Sequence, residues 1–273
     1  LKAVYEILTI QRDFGNREDR KFSRLKYTID KLTVDGFKQE LENRIGFQLQ
    51  QASPYTFTER SDRYGWLQGH DGKWYYTLFV EHGVIKPYQK TFLAELALLG
   101  ISNFIFTANQ NLMLGEISPE DKNTVTALLA KHEIEEETSG LRRNSMACVA
   151  LPTCPLALAE AQRYLPELVT KLEPLLERHN LLDDDIVIRM TGCPNGCGRP
   201  YVAEIGFVGT AAGQYNLMVG GDRFGERLNK LYKEKLDEAQ ILQEADLLFE
   251  RFVAERSIGE TFGDFTHRTY FLN

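Results

Sequence analysis

The chain has 273 residues, 43% of them hydrophobic, and a formal net charge of −7 at pH 7. This length and hydrophobic content can supply a sizeable buried core in one or two domains. The acidic balance excludes an overall field that attracts nucleic acid, and no apolar run approaches the roughly 18 residues of a transmembrane helix.

The first part of the chain is predicted to be helical. Residues 1–12 have apolar side chains at helical spacing, and residues 17–33, rich in arginine and lysine, are expected to form a second helix. A third helix is expected to begin at the cap Asp35 and to end near Ile45. Residues 47–62 are polar and irregular, which is typical of a boundary.

The next part changes to a two-residue period. Its predicted elements are strands at 64–69 and 73–80, a helix at 90–99, strands at 104–107 and 112–117, and a helix ending near residue 132. The turn His70-Asp71-Gly72 is a hairpin signal between the first two strands. The order ββαββα predicts an open-faced α+β unit.

The remainder begins with a charge run, Glu133 to Arg143, that is typical of a solvated connector. The predicted elements that follow are a helix at 155–179, strands at 186–190, 203–208 and 215–219, and two amphipathic helices at 225–235 and 238–256.

Four cysteines form the clearest candidate site. Cys148 and Cys154 have a C-x5-C spacing, and Cys193 and Cys197 have a C-x3-C spacing. With no secretory signal at the first residues, such clustering indicates metal or redox ligands rather than disulfides. Iron–sulfur clusters accept uneven cysteine spacing, whereas the first pair is too wide for a typical zinc knuckle.

The residues around the cysteines favour an anionic cluster. Cys154 and Cys193 are each followed by proline, and Cys154 is expected near a helix N-terminus, which stabilises anions. Glycines around the second pair allow the backbone to approach a bulky inorganic group. Two alternatives stay open, a zinc site and four inert buried cysteines.

A basic segment covers residues 17–26, where five cations face two acids. Arg17, Arg20 and Arg24 are spaced i, i+3 and i+7, so they are predicted to share one helix face. A solvated charged face explains this pattern on composition alone, whereas a polycarboxylate ligand would make the segment an anion-binding site.

At this point the motifs resemble a known family. Residues 144–157 (NSMACVALPTCPLA) and 191–198 (TGCPNGCG) resemble the two cluster-binding motifs of assimilatory sulfite reductase haemoproteins. The basic segment, with the stretches 107–111 (TANQN) and 262–266 (FGDFT), is also similar to that family. The likeness extends over nearly the whole chain.

The resemblance implies a [4Fe–4S] cluster on the four cysteines, and a sirohaem for which Cys197 is also the axial ligand. It implies catalytic roles for Arg24 and Cys197 in a six-electron reduction of sulfite to sulfide for cysteine biosynthesis. It also implies cofactor contacts from Arg17, Arg20, Arg24, Gln110, Asn144, Thr191 and Asn195. The expected electron donor is a flavoprotein that carries electrons from NADPH, in preference to ferredoxin.

The implied fold is an α+β chain, with a ferredoxin-like half-domain followed by an α/β sirohaem/[4Fe–4S]-binding domain. The expected domains are 1–62, the helical basic tail of a preceding sirohaem-binding domain, then 63–134 and 135–273. The family chain is about twice as long, and this chain does not begin with Met. We therefore expect a cytoplasmic C-terminal half, inactive alone, whose partner is the missing N-terminal half, with no nucleic-acid or membrane partner.

Two other functions are weighed against this one. Sirohaem nitrite reductase shares the cysteine spacing and also transfers six electrons. A non-catalytic, metal-stabilised interaction domain would instead use the cysteines for zinc or nothing, and the basic segment for docking.

Overall fold

A computed structural model of the protein describes residues 1–58, 60–134 and 138–272. The chain falls into two units, Leu1–Thr56 and Phe57–Asn273. None of the helices in the described ranges is long and apolar enough to cross a membrane.

The first unit is built from three helices, α1 (Lys2–Phe14), α2 (Leu25–Leu32) and α3 (Val34–Ile45). Their apolar faces share a small core made of Ile10, Phe37, Leu41 and Ile45. The third helix was expected to be capped by Asp35, which is wrong. Thr33 is the cap, and its hydroxyl accepts from the Gly36 amide, three residues on.

The basic segment does not form the single helix predicted over 17–33. A short 3-10 helix, Arg20–Phe22, is separated from α2 by two residues. The Asn16 side-chain oxygen accepts from the Glu18 and Asp19 amides, and the Asp19 carboxylate accepts from the Lys21 amide. These local bonds compete with helix formation, so the three arginines do not share one helix face.

The second unit begins with the predicted ββαββα order. Its elements are β1 (Gly65–Gln68), β2 (Trp74–Leu78), α4 (Pro87–Leu99), β3 (Asn103–Phe106), β4 (Leu112–Ile117) and α5 (Lys122–Lys131). The strands form an antiparallel sheet in the order β1-β2-β4-β3, and its inner face packs on the two helices around Phe92 and Leu114.

The rest of the second unit surrounds a five-stranded sheet. The strands are β5 (Ser145–Ala147), β6 (Ile188–Thr191), β7 (Ile205–Ala211), β8 (Gln214–Val219) and β9 (Lys230–Leu236), and the helices are α6 (Gly140–Arg143), α7 (Leu165–Arg178), α8 (Glu238–Glu255) and α9 (Phe262–Phe271). The strand order is β5-β6-β7-β8-β9, with the first three parallel. Ile188 and Met190 of β6 belong to the apolar core that includes α7 and α8.

Three predictions in this region are wrong. The helix expected over 155–179 begins only at Leu165, because residues 158, 159 and 162 donate their amides to carbonyls of the cysteine segments. The helix expected over 225–235 is instead strand β9, which pairs with β8. The chain also continues into α9, which was not predicted.

The α+β class is confirmed by these helices and sheets. The division at 62 and 134 stays a prediction. The charge run from Glu133 to Arg143 was expected to be a connector, but its last four residues form α6. Residues 135–137 of that run lie outside the described residues.

Candidate cluster and cofactor site

The two cysteine segments begin at the same edge of the five-stranded sheet. Strands β5 and β6 are parallel, with Ala147 opposite Met190, so both chains leave the sheet at their carboxyl ends. The Cys148 amide donates to the Met190 carbonyl at 3.2 Å. Cys148 therefore emerges beside Thr191, two residues before Cys193.

Gly192 joins the two segments. Its amide donates to the Cys148 sulfur at 3.3 Å, and its carbonyl accepts from the amides of Leu158 at 2.8 Å and Ala159 at 3.0 Å. A Cβ at this position would lie 2.6 Å from both the Ala150 Cβ and the Ala159 carbonyl oxygen. Only glycine, which has no side chain, allows the two segments to approach this closely.

The Cys148 sulfur has a second polar neighbour. The hydroxyl oxygen of Thr191, which is fully buried, lies 3.4 Å from it. Polar hydrogens directed at a ligand sulfur stabilise its thiolate form and raise the reduction potential of a cluster bound to it. The geometry at Cys148 is therefore suited to a thiolate ligand.

The four thiols are all free of disulfides and differ in exposure. Cys193 is buried, Cys148 and Cys154 are half-buried, and Cys197 is exposed. Within the described residues, no group of three or more His, Cys, Asp or Glu side chains is arranged to hold a metal ion. The structure thus gives no geometric support to a single zinc ion.

The donor set nevertheless fits a larger inorganic group. Four free thiols lie on two loops, and those loops are joined by backbone bonds from Gly192 and from Cys148. A [4Fe–4S] cluster takes four thiolates, one on each iron, so its ligands are spread more widely than those of one ion. Cys148, Cys154, Cys193 and Cys197 are the residues that would hold it.

The other residues proposed from the sequence divide into two groups within the second unit. Gln110 donates from Nε2 to the Ala147 carbonyl at 3.0 Å, just before Cys148, and Asn195 is exposed in the loop between Cys193 and Cys197. Asn144, by contrast, lies at the opposite end of β5 from Cys148. Its amide donates to the Gly140 carbonyl and to Asp185.

The basic residues of the first unit are exposed to solvent. Arg17 donates to the carbonyls of Gln11 and Arg12, both at 3.3 Å, while Arg20 begins the 3-10 helix and Arg24 is the residue before α2. Their guanidinium groups are thus available to an anion, although not from one helix face.

Sequence reasoning missed a second cationic group in the second unit. Arg189 of β6 is only 3% exposed, and burial, with repulsion from Arg60 and Arg199, lowers its pKa to about 9. The signal was a single arginine inside the apolar run 186–190 (IVIRM), where charge is costly to bury.

Family models match two parts of the chain. Residues 67–132 match the Nitrite/Sulfite reductase ferredoxin-like half domain, which confirms the predicted ferredoxin-like character of this region. Residues 1–49 match the Nitrite and sulphite reductase 4Fe-4S domain. Together with the relatives described below, these matches show that the chain belongs to the nitrite/sulfite reductase family.

Several proteins with sequences similar to this chain have the same name. The chain is 54% identical, over 98% of its length and 50% of the other's, to a "Sulfite reductase [NADPH] hemoprotein beta-component" of Leptospira biflexa. Proteins of the same name from Lysinibacillus sphaericus and Bacillus subtilis are 46% and 49% identical, over 100% and 96% of this chain and 49% and 47% of theirs. The chain spans about half the length of the curated relatives it matches.

A solved structure has the same fold. The structure described as that of the Mycobacterium tuberculosis NirA protein superposes with a TM-score of 0.85 at 26% identity, over 98% of this chain and 52% of the other. The fold described above is therefore the fold of half of that longer chain.

Proposed function

We propose that this chain is the C-terminal half of a sulfite reductase haemoprotein. In this proposal Cys148, Cys154, Cys193 and Cys197 would hold a [4Fe–4S] cluster, and Cys197 would also bind the iron of a sirohaem. The observation that carries the proposal is the joining of the two cysteine segments by Gly192, at the edge of β5 and β6. Relatives at 46–54% identity with a sulfite reductase name support it.

The proposed reaction is the reduction of hydrogen sulfite to hydrosulfide. Six electrons and six protons enter for each hydrogen sulfite, and three water molecules leave with the product. Sirohaem, when bound, would supply the iron that holds the substrate and delivers electrons to it. Cys197, which is exposed, is the one of the four thiols best placed for a ligand outside the loops.

The side chains of the protein are proposed to contribute cofactor binding and positive charge. Arg17, Arg20 and Arg24 are proposed to supply basic contacts to the carboxylates of sirohaem, with Arg24 also acting on sulfite. Gln110, Thr191 and Asn195 are proposed as polar contacts to the cofactors. Gln110 has a buried Oε1 without a partner among the described residues, which leaves it able to accept a hydrogen bond.

Asn144 is proposed as a cofactor contact on the family motif alone, because its side-chain amide donates to Gly140 and Asp185, away from the cysteines. We also propose that the complete enzyme takes electrons from a flavoprotein fed by NADPH, in line with the names of the relatives. The N-terminal half of the haemoprotein is then the partner that completes it. A cytoplasmic location for this enzyme stays a prediction.

Metal content tests the cluster directly. The chain is reconstituted anaerobically with iron and sulfide, and about four irons per chain are expected for the cluster, or about five with sirohaem. Cys148→Ser should fail to assemble the cluster. Thr153→Ser, in the same loop, is the matched control and should assemble it normally.

Two results would overturn the proposal: a full iron content in Cys148→Ser, or a colourless chain that retains one zinc. Cys197→Ser separates the two cofactors, because it should abolish the spectroscopic coupling between haem and cluster in the assembled haemoprotein. Coupling that persists in Cys197→Ser would remove this residue as the bridge.

Nitrite is the rival substrate, because the matching family model is described for both anions. Rates with a reduced viologen donor are measured for both anions on the haemoprotein that contains this chain. A higher kcat/KM for sulfite is expected. A higher kcat/KM for nitrite would reassign the enzyme as a nitrite reductase while leaving the cofactor assignment intact.

A further inference from the structure

A small cavity lies beside Arg189, on the side of β6 away from the apolar core. Its volume is about 20 Å³, and Arg60, Ser61, Asn109, Asn144, Ser145 and Arg189 are among the residues that line it. A space of this size holds one water-sized species. It is too small for a three-oxygen anion such as sulfite, so the proposed substrate does not fit there.

Arg189 is the reason to expect an ion there rather than water alone. Its side chain is 3% exposed, and its Nε and Nη1 atoms have no hydrogen-bond partner within the described ranges. A guanidinium group keeps its charge in proteins. A buried charge without a partner is destabilising, so a counterion at Arg189 would stabilise the folded chain.

The neighbouring charges make the cavity more positive. Arg60 donates to the Val202 carbonyl at 2.5 Å and Arg199 to the Ala108 carbonyl at 2.7 Å, so neither is neutralised by these bonds. Both repel Arg189, and no carboxylate of the described residues contributes to its pKa.

No nearby carboxylate acts on the pKa of Arg189. Asp62 lines the cavity, where its oxygens accept from the neutral side chains of Thr107, Asn109 and Asn111, but it is not among the groups that shift that pKa. Asp222 and Glu204 act on Arg60, not on Arg189. The unpaired charge therefore remains at Arg189.

We propose that this cavity binds one small monovalent anion of halide size, held by the Nε–H and Nη1–H groups of Arg189. Its charge offsets that of Arg189, and its size matches the space. Water would satisfy the two donors but would leave the positive charge uncompensated.

Chloride dependence of stability tests the proposal. The thermal midpoint of the 273-residue chain is measured from 1 to 300 mM chloride, at constant ionic strength maintained with gluconate. An ion that binds only the folded state should raise the midpoint by about 5 °C once chloride reaches roughly a hundred times its dissociation constant. Arg189→Met should abolish the rise.

The matched control is Arg251→Met, which removes an arginine from the surface pair with Glu255 in the same unit. It should respond to chloride as the wild type does. If the rise is absent in the wild type, or equal in Arg189→Met, then the anion site does not exist.

Bromide diffraction decides the matter even if Arg189→Met fails to fold. Crystals of the wild-type chain grown in bromide should show an anomalous peak within hydrogen-bonding distance of Arg189, and Arg189→Lys should weaken that peak. Density for water without anomalous signal would overturn the proposal.

Discussion

Gly192→Ala is the sharpest test of how the two cysteine segments are held together. The residue does not adopt a positive φ, so alanine is excluded by space and not by backbone conformation. The added Cβ would lie 2.6 Å from the Ala159 carbonyl oxygen, a backbone atom that cannot rotate away. The segment containing Ala159 must therefore move.

The cost has two parts. Overpacking of a closed interior costs about 1–3 kcal/mol. Moving the segment also weakens the hydrogen bonds from the Leu158 and Ala159 amides to the Gly192 carbonyl, each of which contributes about 0.5–1.5 kcal/mol. Together these give a loss of about 2–6 kcal/mol in the free energy of unfolding, or a fall of about 1–2 M in the urea midpoint.

Two measurements check this expectation. Urea unfolding followed by circular dichroism gives the midpoint, and iron content after anaerobic reconstitution reports on the thiols. Gly36→Ala is the control, because its Cβ would meet only the Thr33 hydroxyl at 3.4 Å and alanine favours the helix. A Gly192→Ala chain with wild-type stability and full iron would refute the idea that Gly192 sets the spacing of the two segments.

Three further predictions concern buried charge in the second unit. Burial raises the pKa of Glu204 to about 7 from 4.5, so the folded chain binds this proton more tightly and the contribution of this group to stability falls as pH rises from about 4.5 to 7. The urea midpoint of the wild type minus that of Glu204→Gln should fall over this range, and a constant difference would contradict the prediction. Burial lowers the pKa of His82 to about 4 from 6.5, so the contribution of this group to stability rises with pH over about 4 to 6.5. The thermal midpoint of the wild type minus that of His82→Asn, which tolerates the φ of 52°, should rise over this range, and a difference that does not change with pH would refute this expectation. Arg142 forms ion pairs with Glu81 at 2.6 Å and Glu173 at 2.8 Å, and 17% of its side chain is exposed. Arg142→Met should therefore lower the free energy of unfolding, measured in urea, by about 2–4 kcal/mol. A loss below about 1 kcal/mol would show that water solvates the two carboxylates when the arginine is removed.

Local chemistry made the first sheet predictable. The turn at His70-Asp71-Gly72 is fixed by Gly72, with a φ of 77°, and by the Asp71 carboxylate, which accepts from the Lys73 amide. Such signals act within a few residues, so they appear in the sequence itself. The cysteine motifs are of the same kind, because their spacing and flanking prolines are local.

Long-range pairing explains the elements that were missed. Strand β9 is mostly exposed, so its residues carry little of the alternation that marks a strand, and its pairing with β8 determines its conformation. The segment before α7 is held out of the helix by amides bonded to the cysteine loops. Neither partner can be identified from the spacing of nearby residues.

The same distinction applies to the site. The four cysteines could be predicted as candidate ligands from their spacing, but the joining of their two segments depends on the register of β5 and β6, which no local pattern specifies. Strand β6 then separates its side chains into two environments, since Ile188 and Met190 face the apolar core while Thr191 contacts the Cys148 sulfur. Arg189 lies on the same face of β6 as Thr191, opposite Ile188 and Met190. It is buried there, and its Nε and Nη1 atoms have no hydrogen-bond partner among the described residues. A strand that is buried on both faces retains a charged residue only where a group on one face compensates the charge. The single arginine in this apolar run therefore marks the polar face of the sheet.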